Sequence, residues 1–207
     1  MGESKAQRFR IDLSDLVLEI ISIVIAIVLA TAVGQAVQHY HDSARTSDAL
    51  REIRSEIIAN RSALDRVRPL HERIALGYES LVRGSHGQEL DFTRFAATFA
   101  RVAPRGINPF RGEDTAWQLA RTSSAIGDTP FSLRAALQRV YFEQETLSEV
   151  DRTLFQTFLN APTTSRPNYY FVAEALTLEF NDVVASETRL DARYAEALTA
   201  LADAGIR

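Results

Sequence analysis

The sequence predicts an all-α protein, an N-terminal transmembrane helix continuing into an antiparallel helical bundle. Three observations carry that prediction. Leu16 to Val37 (LVLEIISIVIAIVLATAVGQAV) is apolar on every face rather than along one stripe. Three later stretches repeat apolar residues at three- and four-residue steps. No stretch sustains the two-residue alternation of a half-buried strand. The chain therefore divides into a short tail at 1–15, a transmembrane helix at 16–37 and a helical bundle domain at 38–207.

The span has the right length and composition. At about 1.5 Å per residue, 16–37 makes roughly 33 Å of helix, against a hydrocarbon core of about 30 Å. It holds thirteen Leu, Ile or Val residues, which favour insertion by about 4–7 kcal/mol in total. Glu19 opposes them by about 3 kcal/mol at the bilayer centre and less near the end, where it lies. Within the span Ser22, Ala26, Ala30 and Gly34 recur every fourth residue. Such a small-residue stripe lets a second helix approach closely, with Glu19 one turn away on the same side. The composition of ordinary spans yields similar patterns, so the stripe is read as a candidate interface for self-association or for docking on a larger membrane protein.

Lys5, Arg8 and Arg10 precede the span and Arg45 and Arg51 follow it. That slight excess of basic residues orients the N-terminus to the cytoplasm and exports the domain. A cleaved signal peptide is the competing reading, with Ala30-Thr31-Ala32 as the cleavage site. Against it, Asp12, Asp15 and Glu19 interrupt the approach to the apolar run, which itself continues past the site through Val33, Ala36 and Val37. Asp12 is the expected N-cap of the span, with Asp15 also suited to the positive end of the helix dipole.

Beyond the membrane, a first long helix is expected at about 40–83. Leu50, Ile53, Ile57, Leu64 and Val67 form its seam, with Asn60 in the missing place. The seam faces either the protein's own bundle or another chain. Pro69 either kinks this helix or opens the next. Gly84 to Gly87 break it. A phenylalanine-rich helix at 91–102 and a second short helix at 115–126, bearing the single tryptophan Trp117, flank a loop from Pro104 to Asp114. Gly127, Asp128, Thr129 and Pro130 announce a long helix to about 160. Its apolar positions include Leu133, Leu137, Val140, Tyr141, Leu147, Leu154, Phe155 and Phe158. After the APTTSRPN break, Asn168 is placed to cap a last helix at about 169–203, apolar at Val172, Leu176, Phe180, Val183, Leu190, Tyr194, Leu198 and Leu201. The two short helices would cover one side of the bundle or cap an end.

Function is constrained mostly by exclusion. The chain of 207 residues carries a net charge of −4 with acids and bases interspersed, so it lacks the basic footprint of a nucleic-acid binder. It has no cysteine, which removes disulfides, thiolate metal sites and cysteine nucleophiles. Of the four histidines, His39 and His41 point about 200° apart on a helix and cannot chelate together. His71 and His86 have no acid or histidine at ligand spacing. The acids Glu143, Glu145, Glu149, Asp151, Glu174, Glu179, Asp182, Glu187 and Asp191 read as solvated helix faces, with pairs such as Glu149–Thr153 and Asp151–Arg152. Phosphate-binding glycine loops, nucleophile elbows and His-Glu-x-x-His are all missing. No enzyme, cofactor or metal is expected. The loop carrying Arg101, Arg105, Pro109, Phe110 and Arg111 mixes cations with an aromatic. Arg105, Phe110 and Arg111 are candidates to grip an anionic headgroup or an acidic partner; alternatively this is a plain surface loop whose phenylalanine tucks into the core.

Leu18, Glu19 and Ile20, followed by ISIVIAIVLA and the charged helix from Ala44, resemble an uncharacterised family of bacterial single-pass membrane proteins. In that family a Gly-Glu-Ile-like start leads into an aliphatic run and then a long charged helix. Gln38 and His39 stand where the family's span usually closes on an aromatic-polar signature. The likeness covers about the first third of the chain, with a fainter echo around Trp117 and Tyr141, and implies no activity. The expectation is a non-enzymatic scaffold or accessory subunit of an envelope complex, anchored in the bacterial inner membrane. The alternative is an extracytoplasmic ligand-binding sensor signalling through a partner. A pocket enclosed by Phe92, Phe95, Trp117 and Tyr141 would favour the sensor; a packed core with an exposed apolar stripe would favour the scaffold.

Overall fold

The computed structural model describes residues 13–123, 125–127, 129–159 and 168–207; for 13–20, 36, 155 and 157–159 it describes the backbone alone. Among them are five helices and no strand: α1 (Leu13–Ser85), α2 (Phe92–Val102), α3 (Thr115–Thr122), α4 (Phe131–Leu159) and α5 (Tyr169–Asp203). The protein is all-α, and the long N-terminal helix packs against the C-terminal helix in a bundle. Two compact units divide after Arg45.

In the first unit, α1 is apolar and long enough to cross a membrane, and none of its most apolar stretch is buried. Its length and composition are those a single span or a signal sequence would have. Ser22, Ala26, Ala30 and Gly34 are all exposed. A Cβ added to Gly34 would meet open space. Thr31 satisfies its hydroxyl within the helix by donating to the Ile27 carbonyl at 2.7 Å, as a threonine in an apolar helix must. The expected N-cap Asp12 and the side chain of Glu19 lie outside the described residues.

In the second unit, residues 46–207, the expected seam is an internal one. Leu50, Ile53, Ile57, Leu64 and Val67 are buried in the domain's own core, as are Ile74 and Tyr78 further along α1. Each fully buried aliphatic side chain stabilises by about 1.5–3 kcal/mol relative to exposure. The helix runs unbroken through Pro69, so proline's missing N–H removes one intrahelical bond without ending α1. α1 stops at Ser85, where His86 and Gly87 both take positive φ (49° and 75°).

Helix directions follow from the side chains that join them. On α4 and α5, Glu143 meets Arg189 and Arg139 meets Glu196, so these two are antiparallel. On α1 and α5, Arg61 meets Asp191 and His71 meets Glu187, again antiparallel. On α1 and α4, Glu56 meets Tyr141 and Asn60 meets Gln144, so these two run the same way. Residues 86–130 make the return between them and carry both short helices.

α2 is capped by the Asp91 side chain, which accepts from Arg94 N at 2.8 Å. Its Phe95 packs on Tyr78 of α1 and Tyr169 of α5, with centroids 5.4 and 5.1 Å away. α2 comes close to α1 at Gly77, where a Cβ would collide with the Val102 side chain. α3 ends at Thr122, four residues short of the expected boundary. Its Trp117 stacks on Tyr141 of α4, 5.0 Å between centroids and 4° between planes, and Thr122 and Ser123 turn their hydroxyls onto carbonyls of the last turn, competing with further helix. Asn168 does cap α5: its side chain accepts from Tyr170 N at 3.0 Å and from Leu90 N at 3.2 Å, tying the start of α5 to the turn after α1. Asp128, Asn160 and residues 161–167 lie outside the described residues, as do the side chains of Phe155 and Phe158.

Candidate functional site: a buried histidine–carboxylate pocket

Polar residues standing at core positions of the long helices build two buried clusters. The first fastens the return segment to the bundle. Asn60 donates from Nδ2 to the Glu113 carbonyl (2.7 Å) and to Gln144 Oε1 (3.2 Å), while its Oδ1 accepts from Glu113 N (2.9 Å). Tyr194 donates to the same Gln144 Oε1 at 2.8 Å. Glu56 accepts from the Tyr141 hydroxyl and from Ala116 N, both at 2.7 Å. Burial, followed by the charge and hydrogen bond of Glu56, pushes the Tyr141 phenol well above its usual range. Tyr141 is thus a permanent donor. Asn60 is therefore neither an edge residue nor a register device between chains; it holds the loop that leads into α3.

The second cluster surrounds His71, which is 1% exposed. Its Nδ1 lies 2.7 Å from Glu187 Oε1, and its Nε2 lies 2.8 Å from the Ile107 carbonyl oxygen. The Ile107 carbonyl can only accept, so Nε2 donates to it, and imidazolium would donate from Nδ1 to Glu187 as well. Burial by itself would lower the His71 pKa, but the hydrogen bond and charge of Glu187, with the Ile107 carbonyl, outweigh it and raise the value. Glu187 is 0% exposed, and its Oε2 has no hydrogen-bond partner among the described residues.

Asp151 of α4 joins this pair electrostatically. Burial pushes its carboxyl up to about 6, against the pull of His71 and Arg111, and Glu187 adds to the rise. Its Oδ2 is likewise buried without a hydrogen-bond partner among the described residues. His71, Asp151, Ser148, Ile107, Phe110 and Arg111 are among the residues lining a pocket of about 430 Å³. The Asp151 carboxyl therefore brings an unspent polar oxygen to a cavity, and a buried polar atom left without a hydrogen bond costs about 1–3 kcal/mol.

Two sequence expectations change here. Glu187 and Asp151 do not sit on solvated faces, because the stripes of α5 and α4 turn them inward; Arg152 pairs with Glu149 at 3.3 Å rather than with Asp151. His71 does have an acidic partner, 116 residues away in sequence. One signal could have found the pair. His71 continues the α1 seam between Val67 and Ile74, and Glu187 falls between Val183 and Leu190 on the α5 stripe, so each is an ionisable group at a core position.

The candidate loop is divided by the structure. Phe110 is buried at 6% exposure and lines the His71 pocket with Arg111. Arg105 is exposed and opens onto a different pocket. The four aromatics are divided too: Trp117 and Tyr141 stack together, while Phe92 and Phe95 pack around Tyr169. They enclose no common chamber. Among the described residues no group of three His, Asp or Glu has metal-ligand geometry. In comparisons with known proteins, no family model, curated protein or solved structure matches the chain.

Proposed function

We propose that the chain is a membrane-anchored, non-enzymatic helical scaffold or accessory subunit of a bacterial envelope complex, with its N-terminus in the cytoplasm and its domain exported. One observation carries this reading. The aliphatic side chains from Ile21 to Val37 are 48–63% exposed on the isolated chain, a continuous apolar surface far beyond what a soluble monomer leaves in water. Lipid or another helix must cover it, and the stripe of Ser22, Ala26, Ala30 and Gly34 suits close helix contact. Within the domain Leu119, Phe131, Phe142, Phe171 and Leu178 are each more than 60% exposed, apolar surface of the kind that partners cover. The test is crosslinking in native membranes followed by detergent extraction and mass spectrometry. Crosslinks to a second copy or to a larger envelope protein are expected; recovery of monomer alone contradicts the proposal.

The pocket beside His71 favours a second reading, a sensor domain acting through a partner. The unpaired Asp151 oxygen that lines it would receive a small ligand bearing amine or hydroxyl donors. A thermal-shift screen of such compounds, repeated on Asp151→Asn, separates the readings: a stabilising compound whose effect disappears in the variant supports the sensor, and a screen without one refutes it.

A further inference from the structure

The segment that closes the His71 pocket presents its other residues to a second concavity, of about 510 Å³, between α1, the end of α2 and the loop that follows. Four arginines line it: Arg66 and Arg73 from α1, Arg101 from the last turn of α2, and Arg105 from the loop. Arg66 and Arg73 are two turns apart and so share one face of α1. None of the nine residues lining this concavity is acidic, in a chain whose net charge is −4. Several other arginines of the domain are spent on acids, as in the pairs of Arg61 and Arg68 with Asp191, Arg139 with Glu196 and Arg189 with Glu143, while others such as Arg94 and Arg134 stand unpaired among the described residues but singly rather than around one hollow. Here Arg73, Arg101 and Arg105 form no ion pair among the described residues, and Arg66 reaches only the Ser62 hydroxyl at 2.9 Å.

The loop backbone is bent to hold this arrangement. Gly106 and Asn108 both take positive φ, 86° and 45°, and a left-handed non-glycine residue is uncommon outside turns that require it. Four guanidiniums kept around one hollow repel one another, and among the described residues no acid lines the hollow or pairs with them. A compact, multiply charged oxyanion relieves that repulsion and matches the fork of guanidinium donors.

We propose that Arg66, Arg73, Arg101 and Arg105 form a binding site for a phosphoryl group, carried either by a soluble phosphorylated molecule or by a phospholipid headgroup. The proposal rests on residues separate from those that carry the scaffold reading and survives its failure. The test uses the full chain in phosphatidylcholine nanodiscs and reads backbone hydrogen exchange at 101–108. One arm adds inorganic pyrophosphate; a second replaces part of the lipid with phosphatidylglycerol; a third adds poly-glutamate. The comparison protein is the double variant Arg73→Gln, Arg105→Gln, whose exposed, unpaired side chains can change without disturbing the core, as circular dichroism will verify.

Slowed exchange with pyrophosphate, weakened at least tenfold in the variant and lost at high salt, assigns a soluble phosphoryl ligand. Slowed exchange with phosphatidylglycerol alone, again lost in the variant, assigns a headgroup. Protection in neither arm, protection unchanged in the variant, or protection by poly-glutamate alone overturns the proposal; the last would point to an acidic protein segment instead.

Discussion

Two stretches of the same helix use the same aliphatic residues in opposite ways. From Ile21 to Val37, α1 exposes every face, with Ile25 53% and Val33 63% exposed. From Leu50 to Tyr78 the exposures split by face: Ile53, Ile57, Leu64 and Ile74 are at 0%, while Arg54, Arg66 and Arg73 are not buried. The backbone is equally helical in both, so propensity does not distinguish them. What differs is the pattern: the first stretch has no polar face and the second has one every turn. An all-round apolar helix has no protein of its own to bury against, whereas a striped helix folds onto neighbours. The second stretch also admits polar residues on its buried face, Glu56, Asn60 and His71, each only because a partner on another element receives it.

That comparison breaks most visibly under truncation. Leu64→Ala should cost the domain about 3 kcal/mol, since a fully buried leucine leaves a cavity, and Ile25→Ala should change domain unfolding by less than about 0.5 kcal/mol. Urea unfolding of the full chain in detergent, followed by Trp117 fluorescence, measures both. Equal losses at the two positions would erase the distinction. Asn60→Ala should cost about 2 kcal/mol, because the Glu113 amide and carbonyl and Gln144 lose a shared partner; the same assay should also show Trp117 in a looser environment.

A smaller effect concerns pH. The folded pKa of His71 lies above 6.5, so the stability it contributes is complete below pH 6.5 and is lost as pH rises through the folded value. Asp151 is raised from 3.8 to about 6, so its contribution is complete below about pH 4 and is lost as pH rises through 6. Both make the domain less stable toward alkaline pH. The unfolding midpoint should fall across that range, and Asp151→Asn should flatten the lower part of the fall while gaining about 1 kcal/mol at neutral pH. A midpoint rising with pH, or a loss in Asp151→Asn, would contradict the assignment. The smallest effect is expected at an exposed pair, where Arg139→Ala, which breaks the link to Glu196, should cost less than about 0.5 kcal/mol.

Periodicity made most of the fold legible before any coordinates. The seam of α1, the Asn168 cap and the three long helices all follow from local spacing and cap chemistry. The end of α3 was not legible, because Thr122 and Ser123 compete for carbonyls in a way that apolar spacing does not register. Nor was the direction of α1 relative to α4, which depends on how residues 86–130 return. The His71–Glu187 pair escaped because its members are 116 residues apart and no spacing rule joins them. Each nonetheless falls as an ionisable group on an apolar stripe, the one local mark such a site leaves and one the solvated-face reading of Glu187 passed over. The four-arginine pocket left less: only Arg101 and Arg105 are neighbours in sequence, and the fold supplies Arg66 and Arg73.

The account stands on the first stretch of α1 remaining part of the working protein as its anchor. Intact mass of the protein recovered from carbonate-washed membranes tests this most directly. A membrane-retained species whose mass still includes Leu16 to Val37 is the expected result. A shorter chain beginning at Val33, or protein released into the wash, would contradict it.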